Sequence, residues 1–102
     1  MKPIPSFVNV GGKRVRIRVV PDMEDWGEYD HDAFEIRISS KALVKRSLIR
    51  ETLRHELMHA ALSIGGVSYA ERPDEEAFVR CMENIFFPAW HKLSEKLNTQ
   101  IP

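Results

Sequence analysis

Cysteine is nearly absent: Cys81 stands alone among 102 residues. No internal disulfide can form, so stability must come from an ordinary core, and a reducing cytoplasm is the compartment that fits. The same scarcity excludes a zinc site built from a thiolate cluster. Net charge is also absent, with 15 basic residues against 15 acidic ones. That removes any global electrostatic case for nucleic acid or an anionic membrane. No apolar run approaches the roughly 20 residues needed to cross a bilayer. The opening residues, MKPIPSFVNV, carry one Lys and two Pro and lack the apolar centre of a secretory signal. Repeats, low-complexity segments and linkers are missing as well. What remains is 43% hydrophobic and 29% charged, the balance of a soluble globular chain, and residues 1–102 read as one domain.

The chain begins with alternation. Phe7, Val8 and Val10 precede Gly11-Gly12, a dipeptide suited to a tight hairpin turn, and Val15, Ile17 and Val19 then alternate with Arg14, Arg16 and Arg18. One face of that second strand is apolar and the other basic. Pro21 ends it, and the acidic, turn-rich DMEDWGEYDHD reads as a loop. AFEIRIS alternates again and predicts a third strand, whose charges suit an exposed sheet edge. From Ser47 the period becomes helical: Leu48, Thr52, His55, His59 and Leu62 share one stripe, widened by Leu53, Leu57, Ala60 and Ile64. Ser47 is the expected N-cap and Gly65-Gly66 the expected stop, with a turn or short helix over Ser40 to Arg46. Pro73 and the acidic Asp74, Glu75 and Glu76 open a second helix, which Pro88 should break or kink. A last short helix packed by Trp90, Leu93 and Leu97 should follow. Strands grouped before helices predict an α+β domain, with a small antiparallel sheet of about three strands against a helical pair.

The stretch RHELMHAAL, residues 54 to 62, holds the chemistry. On a helix His55 and His59, at i and i+4, project from the same side and can share one ion, while Glu56 flanks them. Two neutral imidazoles suit Zn²⁺, and a nearby carboxylate can take a proton from water made acidic by the metal. The ordinary alternative is a helix whose histidines bond to neighbours and whose glutamate is solvated. By residue frequencies a chance H-E-x-x-H in so short a chain is an event on the order of one in several hundred, which favours the metal.

A catalytic zinc needs a third protein ligand. The extended three-histidine motif requires Gly and His at positions that here hold Leu62 and Gly65, so it is excluded. A carboxylate from another element is left, and the second helix offers Glu75 and Glu76. From Glu75 the helical stripe runs on through Phe78, Val79, Met82, Ile85 and Phe86. From Glu76 it meets Arg80, Glu83 and Asn84. The apolar stripe favours Glu75 as the ligand, with Glu76 as the alternative and Asp74 more remote. Either acid can instead serve only the helix macrodipole.

TLRHELMHAAL, followed closely by a helix opening DEEAFVRCM, resembles the small gluzincin-type metallopeptidases. It looks closest to minimal single-domain members related to the ImmA/IrrE-like and SprT-like groups, often found in phage genomes. The resemblance implies a zincin-like fold over nearly the whole chain. It implies His55 and His59 as zinc ligands, Glu56 as general base, and Glu75 or Glu76 as the third ligand. It also implies that a peptide docks along the strand before the helix, Ala33 to Ser39, by strand addition. The chain lacks the zinc-ribbon cysteines of some SprT-like proteins and the sensor domain of longer ImmA/IrrE-like ones.

Other residues carry weaker signals. Tyr69, between the two ligand-bearing helices, can assist an oxyanion or simply close the core. His31 is a donor or fourth ligand only if it is not a solvated loop residue, and His91 reads as surface. Trp26 and Tyr29 fit a substrate groove or the core, and Cys81 reads as a small buried hydrophobe. The leading expectation is a cytoplasmic zinc peptidase acting on a protein or peptide. A catalytically silent binding module, stapled by zinc, is the alternative. A nucleic-acid role would need Arg14, Arg16 and Arg18 with Lys45, Arg46, Arg50 and Arg54 to form a basic patch, which zero net charge disfavours.

Overall fold

The first turn sets the sheet in motion. Gly11 and Gly12 both take positive φ, 56° and 84°, the pairing a two-residue hairpin turn requires and that side chains with a β-carbon resist. The structure is a computed structural model that describes residues 4–67 and 73–100. The chain divides into two units, Met1–Ala70 and Glu71–Pro102.

In the first unit, β1 (Phe7–Val10) and β2 (Lys13–Val20) pair antiparallel across that turn, as the alternation predicts. β2 next lies parallel to β4 (Glu35–Ser39), with Ile17 opposite Ile36 and Val19 opposite Ile38. β3 (Gly27–Asp30) pairs antiparallel with the far side of β4. The order across the sheet is β1-β2-β4-β3. The domain is therefore α+β as expected, but its sheet has four strands and is mixed, not three and antiparallel. The expected edge strand, Ala33 to Ser39, is also corrected: β4 is paired on both sides, and the edges are β1 and β3.

The reason is a set of charges satisfied across strands. Arg37 donates through Nε to Glu35 (2.6 Å), through Nη1 to Glu28 (3.0 Å) and through Nη2 to Asp30 (2.9 Å). Charges that read as protecting an edge instead neutralise one another inside the sheet. They also let an acidic segment read as a loop become β3. Glu35 is buried, with Arg18 3.4 Å and Arg16 3.8 Å away on β2. Burial alone would raise the Glu35 pKa, but Arg37 and Arg18 outweigh it and hold the carboxyl below its ordinary value. Asp30 is lowered mainly by the backbone N–H of Ala33, then by Arg37. The Arg37 guanidinium is correspondingly harder to deprotonate, chiefly through Glu28 and then Asp30 and Glu35.

The opposite face is apolar. Ile36 and Ile38 are fully buried, and Ile38 forms a core with Ala42 and Ile49. Ala42 lies in a 3₁₀ turn, Ser40–Val44, started by the Ser39 side chain accepting from the N–H of Lys41. Ile49 lies on α1 (Arg46–Ile64), which packs on this face.

In the second unit, α2 (Pro73–Cys81), a π turn (Met82–Phe86) and α3 (Phe87–Gln100) follow one another without interruption. Pro88 does not break the helix. It has no N–H for the carbonyl four residues back, and the π turn shifts the bonding just before it, with the N–H of Phe87 donating to the carbonyl of Met82. The separate last helix is thus a continuation. Trp90, Leu93 and Leu97 are about half exposed rather than packed, and Cys81 is exposed rather than buried. The buried position of α2 is Val79, and a residue two further along a helix faces roughly the other way.

The Arg37 cluster predicts an acid limb in stability. Carboxyls lowered in the folded state stabilise above their unfolded pKa of about 4, and that contribution is lost as pH falls through the folded values. Arg37→Met should lower the urea midpoint at pH 7, and its deficit against wild type should shrink by pH 3. A deficit that stays constant with pH would contradict the assignment.

Candidate metal centre

α1 forms because 19 residues, Arg46 to Ile64, contain neither Gly nor Pro and keep a helical apolar period. It starts one residue before the expected cap: Lys45 occupies the N-cap without a side-chain bond, and Ser47 lies inside the first turn. It stops where expected. The N–H of Gly65 donates to Ala61 at 2.8 Å, and Gly66 takes φ 75°.

The buried stripe of α1 is Ile49, Thr52, Glu56 and Ala60. The packing face is thus centred one residue away from the histidine stripe the sequence suggests. His55 and His59 border it, half-buried, with ring centroids 5.0 Å apart and planes at 61°. Two imidazoles this close on one helix can share a metal ion. Two imidazole nitrogens and a carboxylate oxygen are a donor set that suits zinc.

Glu75, the favoured third ligand, and Glu76, the alternative, both lie on α2 in the second unit. The apolar pattern that favoured Glu75 does not mark a packed face. Phe78 and Phe86 are about half exposed and Ile85 is more exposed still, while Val79 is buried. Glu76 and Arg80, one turn apart, pair at 3.6 Å.

Glu56 is the unusual member of the buried stripe, at 7% exposure. A carboxylate in a helix face packed on a sheet is costly unless it is paired or hydrogen-bonded. Its place is set by Gly27 on β3. A β-carbon built at Gly27 would lie 2.7 Å from Thr52 Cγ2, 3.1 Å from the Arg37 carbonyl oxygen and 3.2 Å from Glu56 Cγ. Only a residue without a side chain lets the edge strand approach α1 this closely. Sequence reading missed Gly27, because a glycine between Trp26 and Glu28 looks like a loop residue. Two residues on, the Tyr29 hydroxyl is buried. Burial raises its pKa, opposed by the Ser63 hydroxyl on α1.

Of the remaining predicted residues, Tyr69 lies outside the described residues. His31 is exposed, with Nε2 3.4 Å from the Asp32 carboxylate, and His91 is exposed. Trp26 is half exposed, with the Lys41 ammonium 4.9 Å from its ring centroid. Arg16 and Arg18, offered as part of a basic patch, are turned to Glu35. Among the described residues no helix is long and apolar enough to cross a membrane.

Two measurements test this geometry. Zinc affinity should fall by at least about 100-fold in His55→Ala and in His59→Ala. Competition with a chromophoric chelator reads this directly, and wild-type affinity in either variant would contradict a shared ion. Gly27→Ala should destabilise by about 1–3 kcal/mol through overpacking, measured by chemical denaturation. No loss there would show that β3 does not press on Glu56.

No protein-family model matches the chain, and no curated protein or solved structure matches it either.

Proposed function

We propose that this chain is a zinc-dependent peptidase of the gluzincin type, acting on a protein or peptide in the cytoplasm. The observation that carries the reading is that α1 sets His55 and His59 side by side, ring centroids 5.0 Å apart, with the buried Glu56 following the first of them. The single cysteine suits a reducing compartment.

In this reading His55 and His59 would hold the metal through neutral imidazoles, with Glu75 or Glu76 of α2 supplying the carboxylate. Zinc, when bound, supplies Lewis acidity that polarises a peptide carbonyl and makes water acidic near neutral pH. Glu56 takes the proton from the attacking water and delivers it to the departing amine. Its burial limits competing solvation, and the contact with Gly27 and Thr52 restricts its side chain. Restriction of this kind keeps a general base within reach of its proton.

The substrate strand pairs with β3 rather than β4. β3 is a sheet edge, and it carries Gly27 against Glu56. An extended peptide added there gains main-chain hydrogen bonds, and its backbone runs past the side of α1 that holds the general base.

The test is Glu56→Gln. It should keep wild-type zinc affinity and lose at least about 100-fold in hydrolysis of an unstructured peptide library, the scale of a general base. Hydrolysis surviving intact would remove Glu56 from the mechanism. Zinc-loaded wild type that cleaves no peptide in such a library would favour a silent, zinc-stapled binding module.

A further inference from the structure

The sheet face turned away from α1 holds a hollow that the metal centre does not use. It measures about 450 Å³ and is walled by Phe7, Arg14, Arg16, Phe34 and Glu35, a volume in the range of small-molecule sites, about 300–1,000 Å³. Its chemistry is mixed in a specific way. Two aromatic rings supply flat apolar surface, and a cation lies on each of them. The Arg14 guanidinium lies 3.6 Å from the Phe7 ring centroid, and the Lys13 ammonium lies 4.2 Å from that of Phe34.

The charges there are unevenly committed. Arg37 is saturated by three carboxylates. Arg16 approaches Glu35 only to 3.8 Å, and its side chain is 68% exposed. Glu35, the single acid of the wall, is buried and already compensated by Arg18 and Arg37. The hollow is therefore net cationic, with two guanidinium groups able to present paired donors.

The backbone adds an independent signal. Phe34 has φ 52°, a left-handed conformation that is a genuine outlier for a bulky side chain. Its carbonyl is held by the N–H of Arg16 at 3.0 Å. The turn before it is fixed by Asp30 Oδ1, which accepts from the N–H groups of Asp32 and Ala33. Strain maintained by surrounding bonds is characteristic of ligand clamps. Here the same residue closes the hairpin between β3 and β4, whose pairing reaches Asp30 and Glu35, and puts an aromatic ring in the wall of the hollow.

We propose that this hollow binds a small molecule joining a flat aromatic ring to a phosphate or carboxylate, the ring against Phe7 and Phe34 and the anion on Arg14 and Arg16. The site is separate from the metal centre and does not rest on peptidase activity.

The test is a side-chain NMR titration of the full chain with phenyl phosphate, benzoate, inorganic phosphate and benzyl alcohol. Phenyl phosphate or benzoate should give saturable shifts at the Arg14 and Arg16 Nε–H groups and the Phe7 and Phe34 rings. The tighter of the two identifies the anionic group. Inorganic phosphate and benzyl alcohol should each bind at least about tenfold more weakly, since each lacks half of the recognition. Arg14→Lys with Arg16→Lys keeps the charge and the fold but loses the paired donors, and should weaken binding about tenfold. Arg50→Gln, on exposed α1 surface, should change nothing. Inorganic phosphate binding as tightly as the aryl anions, an equal loss in Arg50→Gln, or shifts spread over all basic residues would overturn the proposal.

Discussion

The packing of the first unit depends on how closely β3 can approach α1. The contact is made at Gly27, where no side chain intervenes, against Thr52 and Glu56. It converts an edge strand into a wall for a buried carboxylate. It also fixes the rotation of α1: with Ile49, Thr52, Glu56 and Ala60 turned inward, the helical period leaves His55 and His59 at the border, half-buried and side by side. Ligand access for the histidines and seclusion for the glutamate are two consequences of one packing decision.

The sheet in turn depends on the Arg37 cluster. β3 is short and acidic, with little apolar surface of its own, and it is the pairing of Glu28 and Asp30 with Arg37 that ties it to β4. Charge on one face holds β3 in register while Gly27 on the other face meets the helix. An isolated surface ion pair contributes little, but one guanidinium shared by three carboxylates, one of them buried, is a network with fixed geometry. The same face leaves Arg14 and Arg16 less fully paired, beside the strained Phe34. The two faces thus divide the work, an apolar one supporting α1 and a charged one open to solvent.

Where local chemistry decided the outcome, it was legible in the sequence. Gly11-Gly12 announces a hairpin because its backbone needs are local, and Gly65-Gly66 announces a helix end for the same reason. The H-E-x-x-H spacing is legible because helical geometry alone brings His55 and His59 together. Where the outcome rested on partners distant in the chain, it was not. Nothing near Glu28 and Asp30 shows that Arg37 will neutralise them, so β3 looked like a loop. The parallel pairing of β2 with β4 reflects the insertion of β3, not any feature of either strand. The apolar stripe running on from Glu75 looked like a packed face, yet Phe78 and Phe86 are about half exposed. Pro88 was read by its usual effect, and a π turn absorbed it.

In the proposed centre His55 and His59 bind zinc as a catalytic site does. X-ray absorption at the zinc edge of the loaded full chain measures the shell itself. A four- or five-coordinate ion with two imidazole nitrogens and a carboxylate oxygen at about 2.0–2.2 Å, and an exchangeable light-atom ligand completing the shell, is the expected result. An octahedral shell of oxygens without imidazole scattering, or failure to take up zinc at all, would contradict it.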